Sequence, residues 1–149
     1  MCGLPGAGKT TLAVQLARDL AAIRLCPDEW MIELGIDVFD EGARNRIEHL
    51  QWQLAQELLR LDNRVIIEWG LWSRSERDAL RARARNLGAD VELRFVDPPL
   101  DILWERLKSR GMEPRWRSRA IERHELEHWA RALERPGAEE LALFDPPLR

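Results

Sequence analysis

The spacing of apolar and polar residues changes several times along the chain, and each change marks an element. In Thr11 to Leu20, Leu12, Leu16 and Leu20 fall four apart, the interval of one helical face. Ala22-Ile23-Arg24-Leu25 is a short apolar run suited to a strand in a parallel sheet, and Pro27 ends it. Residues 32–41 have weak periodicity and read as a loop or short helix. From about Gly42 to Leu61 the helical period returns, with Ile47, Leu50, Leu54, Leu58 and Leu61 as its apolar stripe and Asp62-Asn63 as its end. His49 lies near that stripe and reads as a structural histidine rather than a ligand. Val65-Ile66-Ile67 reads as a fully buried parallel strand that closes on Glu68.

Ser73 then opens a helix, and Glu76 three residues on completes a capping box. Arg81, Arg83 and Arg85 belong to its solvated face, and Gly88 caps it. Val91 to Val96 alternates, as a half-buried strand nearer the sheet edge does. Leu100 to Arg110 is helical, with Ile102, Leu103 and Leu107 inward. Ile121, Leu126, Trp129 and Leu133 mark a last long helix, stopped by Pro136-Gly137, and Ala138 to Phe144 forms a short terminal one. Strands alternating with helices indicate an α/β chain with a parallel sheet.

A length of 149 residues suits a single domain spanning 1–149. The net charge of −3 gives no field that recruits polyanions, which argues against nucleic acid as a partner. Cys2 and Cys26 have neither metal-ligand nor disulfide-framework spacing, which suits a reducing compartment. With no leader or bilayer-length apolar run visible, a cytoplasmic protein with no membrane attachment is expected, as a monomer or weak homodimer.

The chemistry concentrates at the start of the chain. Gly3-Leu4-Pro5-Gly6-Ala7-Gly8-Lys9-Thr10 fits the phosphate-binding pattern G-x-x-x-x-G-K-[ST] without a mismatch. Glycines at 3, 6 and 8 allow positive φ and close approach to a ligand. The following helix aims its positive end at the same point. Lys9 is expected to reach the β- and γ-phosphates of ATP, and the Thr10 hydroxyl to bind Mg²⁺. Gly3, Pro5, Gly6, Ala7, Gly8, Lys9, Thr10 and Thr11 form the expected nucleotide cradle. Only Met1 and Cys2 precede Gly3, where a buried strand should lead in. A late chain start is expected, with a first strand missing or truncated and lowered stability.

Asp28 and Glu29 follow the first strand signal, where open α/β sheets place ligands. Either carboxylate could take a proton from a substrate hydroxyl attacking the γ-phosphate. Equally, Asp28 could be an N-cap and Glu29 a first-turn acid. Glu68 at the end of the second strand signal is expected to hold Mg²⁺ or its water shell, or to touch the acceptor. Asp is usual there. Trp69 and Trp72 beside it could stack on a planar substrate, although core or lid packing is the commoner fate of a Trp. Arg106 and Arg110 share a helix face and lead into the arginine-rich Gly111 to Arg117, which has the composition of a mobile lid closing over phosphates.

The order strand, phosphate loop, helix, strand, acid, long helix, strand, acid, helix, strand, Arg-rich helix and lid resembles the P-loop kinase superfamily. Within it the chain looks most like the family of predicted kinases that includes polynucleotide kinase, zeta toxins and chloramphenicol phosphotransferase. The loop is specific only for the fold; Asp28-Glu29-Trp30 is the more diagnostic match. The resemblance implies a three-layer αβα fold with an Arg-rich lid, and Asp28 as catalytic base. It also implies Arg106 and Arg110 as lid-helix arginines that contact ATP and the transferring phosphate, and likens Ser75-Glu76-Arg77 to the family's acid–arginine segment. Two departures stand out: Met31 where polynucleotide kinases carry a phosphate-gripping Arg, and Glu68-Trp69-Gly70 in place of Asp-x-Asn.

The expected function is an Mg-ATP-dependent kinase acting on a hydroxyl of a small molecule. Lys9, Asp28, Arg106 and Arg110 are the expected catalytic set. Asp28, Trp30, Glu68, Trp69, Trp72 and Arg77 line the acceptor, and Thr10 and Glu68 meet the metal. The rivals are a polynucleotide 5′-hydroxyl kinase and a nucleotide-binding regulatory ATPase.

Overall fold

The two apolar runs become parallel neighbours. β1 (Ile23–Leu25) pairs with β2 (Val65–Ile67) in the computed structural model, with Ile23 opposite Val65 and Leu25 opposite Ile67. The structure describes residues 1–111 and 119–148. Parallel strands need a long crossover. Here α2 (Pro27–Glu33) and α3 (Glu41–Arg60) provide it, packing on each other, and α3 also lies on β2. The helix α1 (Lys9–Asp19), which follows the glycine-rich turn, packs on β1.

Outside this two-stranded sheet, the first residues of the chain make isolated bridges. Cys2 bridges Gly70 and Phe95 in parallel fashion. Its N–H donates to the Arg94 carbonyl at 2.8 Å, and its own carbonyl accepts from Val96 N–H at 2.9 Å. The expected strand over Val91 to Val96 does not form, and within it only Phe95 makes a bridge.

The face that α3 buries also differs from the expected stripe. Its buried row is Ala43, Ile47, Gln51 and Ala55, a straight i, i+4 ladder. Leu50, Leu54 and Leu61 are instead 54%, 39% and 72% exposed. Two alanines in the row let the helix approach its neighbours closely, so small side chains rather than leucines mark its inner face. His49 is on the exposed side of the same helix, facing Gln53.

Downstream, α4 (Arg74–Arg85) starts with the expected capping box. Ser73 Oγ accepts from Glu76 N–H at 3.2 Å, and Glu76 returns the bond to Ser73 N–H at 2.9 Å. α5 (Leu100–Gly111) packs on α6 (Arg123–Ala132), followed by the short α7 (Ala138–Leu141). Leu103 and Leu107 of α5 are buried, whereas Ile102 is exposed. Cys2, Leu4 and Ala7 share one core with Leu103, Leu107, Leu126 and Leu133. Burying each leucine contributes about 1.5–3 kcal/mol, and this core supports the glycine-rich turn from below. A second core of Met31, Val38, Ala43 and Ile47 joins α2 to α3.

Candidate functional site

The turn from Gly3 to Gly8 has the backbone that its glycines predict. Gly3, Gly6 and Gly8 have φ of 142°, 78° and 99°. At Gly3 a Cβ would come within 2.3 Å of the Val96 carbonyl oxygen, so no other residue fits. Gly8 is the left-handed N-cap of α1, and the first intrahelical bond runs from Leu12 N–H to Gly8 at 3.1 Å. The earlier amides of that turn have no acceptor within the helix and carry its positive dipole end. Lys9 folds back over the turn and donates to the Gly3 and Leu4 carbonyls, each at 2.8 Å. Burial pulls its pKa below the usual lysine range, and the nearby carboxylates of Asp28 and Glu68 oppose that shift. Arg106 reaches the same turn from α5, donating to Ala7 at 3.2 Å and Gly6 at 3.3 Å. Pro5 is half-buried in the turn, and Thr11 is exposed on the first turn of α1.

A chain of side chains leads away from the turn. The Thr10 hydroxyl donates to one oxygen of Glu68, and Arg24 donates to the other at 2.7 Å. Glu68 leaves the end of β2 with its side chain only 3% exposed. Arg24 stands in register with Ile66, so the two side chains meet diagonally across neighbouring strands on one face. The second nitrogen of Arg24 grips both oxygens of Glu29, at 2.5 and 2.6 Å. Thr10 and Glu68 suit a small hard cation. Among the described residues no group of three or more His, Cys, Asp or Glu could hold a metal unaided.

Asp28 sits opposite. α2 begins with Pro27 at its first position and Cys26 as N-cap, so Asp28 is a first-turn residue and not the cap. Arg44 of α3 pairs with the Asp28 carboxylate, donates to the Val38 carbonyl at 3.0 Å and faces Glu48 at 3.9 Å. Burial, with Glu76 and Asp28 adding to it against Arg44, pushes Glu48 up to about 7. Trp69 follows Glu68, and its indole N–H donates to Gln51 at 2.9 Å. The buried Gln51 Nε2 has no hydrogen-bond partner among the described residues. Trp30 packs against the core between α2 and α3.

Two residues expected at the acceptor lie elsewhere. Arg77 is 1% exposed. It forms a two-pronged pair with Glu140 of α7, at 2.5 and 3.0 Å, and donates to the carbonyls of Leu71 at 3.0 Å and Trp72 at 3.1 Å. These bonds tie α4 to α7 and to the segment after β2, and they bury the guanidinium. Trp72 packs on the core beneath the turn, 6.0 Å from Trp129 and tilted by 50°. Arg110 is exposed near the end of α5. Most of the expected lid, from Met112 onward, lies outside the described residues. Arg24, Arg44, Glu48 and Gln51 escape a reading by motif. A signal exists for the last three, since positions 44, 48 and 51 run i, i+4, i+7 as a polar row on a helix otherwise read for its leucines.

Comparison with known proteins bears on the fold and the family. A gluconokinase structure from Sinorhizobium meliloti aligns with a TM-score of 0.59 and 22% identity, covering 93% of this chain and 75% of that one. At that identity the likeness establishes the fold, a P-loop NTPase-like α/β arrangement with a parallel sheet. Argininosuccinate synthase from Methylococcus capsulatus is 33% identical over 88 residues, 58% of this chain, and the match spans 21% of that protein's length. Among the described residues no helix is long and apolar enough to cross a membrane. The match to the AAA domain family runs over residues 1–136, and the chain belongs to that family.

Proposed function

We propose that the protein is an Mg-ATP-dependent kinase that moves the γ-phosphoryl group to a hydroxyl of a small molecule. The observation that carries this reading is the convergence of three groups on one turn. Lys9 lies over the loop, Thr10 is joined to Glu68 beside it, and the Asp28 carboxylate, paired with Arg44 on the first turn of α2, is near enough to oppose the burial that lowers the Lys9 pKa. An ATP hydrolase would need the first two; the carboxylate across the gap is what an alcohol acceptor requires.

Phosphoryl transfer asks the protein mainly for positioning and charge. The acceptor oxygen bonds to Pγ while the bond from Pγ to the β-bridging oxygen breaks, and the hydroxyl proton passes to Asp28. Arg44 fixes the direction of that carboxylate. The Lys9 ammonium and the first amides of α1 receive the phosphate oxygens. Thr10 and Glu68 are the residues that would hold a Mg²⁺ ion, which would supply positive charge to the phosphates. Arg106, already over the loop, meets the transferring group, and Arg110 one turn on extends the same face. Trp69, anchored by Gln51, walls the acceptor side.

Met31 is fully buried, so α2 presents no cation there to grip a nucleic-acid phosphate. The gluconokinase likeness favours a small acceptor. The test is a screen of hydroxylated metabolites for acceptor-dependent ADP release. With an acceptor found, Asp28→Asn should cut turnover roughly 10²–10⁴-fold and leave ATP affinity near its original value. Full turnover by that variant would remove Asp28 from the role of base.

A further inference from the structure

Arg24 bridges Glu68 at the end of β2 to Glu29 on the first turn of α2, and no motif selects it. Its side chain is 16% exposed, that of its Glu68 partner 3%, and the two meet at 2.7 Å. Glu68 has two oxygens with separate partners, Thr10 on one and Arg24 on the other. A carboxylate held by only one of these could rotate about its last bond. Held by both, it keeps one oxygen turned to the loop hydroxyl.

The other end of the guanidinium is fixed as well. Both Glu29 oxygens accept from the second Arg24 nitrogen at 2.5 and 2.6 Å, and Glu29 is the residue after Asp28 on the first turn of α2. Thus β1, β2 and α2 are joined through one planar, five-donor group. Lysine, a single point charge, could not span both carboxylates.

We propose that Arg24 is a positioning residue that aims Glu68 at the cation of the nucleotide complex. This rests on the Mg-ATP reading above. Arg24 touches neither nucleotide nor metal; it acts through Glu68. Outer partners of a metal-site carboxylate typically change metal affinity or activity by roughly 10–100-fold when removed.

The test is calorimetric titration of the full chain with ATP, in excess Mg²⁺ and again in EDTA. The ratio of the two affinities is the metal's contribution to binding. Arg24→Met should reduce that ratio roughly tenfold while the EDTA affinity stays within about twofold, since the loop amides and Lys9 are untouched. Arg24→Lys, which keeps the charge and can reach one carboxylate, should lose roughly threefold, and it serves alone if the Met variant does not fold. A ratio unchanged in the folded variants overturns the proposal. So does an equal fall with and without Mg²⁺, which would mean that Arg24 only supports the fold. Failure of the unmodified protein to bind ATP at all would instead overturn the kinase reading, and this inference with it.

Discussion

The Thr10 hydroxyl donates to the Glu68 carboxylate across the gap between the start of α1 and the end of β2. These residues come from signals 58 positions apart. Their contact joins the glycine-rich turn to the end of a hydrophobic strand. On the kinase reading proposed above, these two oxygen groups would hold the Mg²⁺ of the nucleotide complex, a hard cation that takes oxygen ligands.

Glu68→Gln therefore changes the metal requirement first. The amide keeps the size of the side chain but removes the charge, so the Mg²⁺ concentration for half-maximal turnover should rise roughly 10–100-fold. A magnesium titration at saturating ATP reads this directly. An unchanged midpoint would remove Glu68 from the metal.

Arg77 carries stability rather than catalysis. With Arg77 1% and Glu140 4% exposed, removing one partner strands a buried charge, which typically costs about 3–5 kcal/mol. Arg77→Met should show that loss in chemical denaturation. The double variant Arg77→Met with Glu140→Leu should recover much of it, because the orphaned carboxylate goes too. If Arg77→Met kept full stability but lost acceptor binding, the acceptor role expected from the sequence would be restored.

Much of the fold is legible in the chain because it is written in local periods. The loop glycines, the capping box of Ser73 and Glu76, and the strands at 23–25 and 65–67 all follow from spacing over a few residues. What was not legible depends on partners distant in sequence. Val91 to Val96 alternates as a strand should, yet within it only Phe95 forms a bridge, and its partner is Cys2, far away in sequence. The leucines of α3 form a stripe, yet the helix buries the neighbouring row of Ala43, Ile47, Gln51 and Ala55. Arg77 sits in a segment that resembles the family's acid–arginine segment, and nothing nearby announces that Glu140, 63 residues away, will claim it. Arg24 looked like one polar residue in an apolar strand, and its role needs both Glu29 and Glu68 to be visible.

Glu48 gives a pH dependence with a definite sign. Its carboxyl ordinarily titrates near 4.5 and is pushed up to about 7 in the fold, chiefly by burial. Between those values the folded state binds more protons than the unfolded chain, so stability falls as pH rises. The contribution is complete below about 4.5 and lost as pH climbs through about 7. Glu48→Gln removes this burden. Denaturation at two pH values should show the variant gaining on the parent at pH ~8 and roughly matching it at pH ~4.5. A gain of equal size at both would mean that Glu48 titrates in the folded protein as it does in the unfolded chain.

The central claim is that the turn from Gly3 to Thr10 cradles a polyphosphate with Lys9 as its cation. Isothermal titration of the parent protein and Lys9→Ala with Mg-ATP tests it most directly. The account predicts saturable binding by the parent and roughly 10–100-fold weaker binding by the variant, the loss of charge-assisted bonds worth about 1.5–3 kcal/mol. Equal affinity in the two proteins, or no heat of binding from the parent, would contradict it.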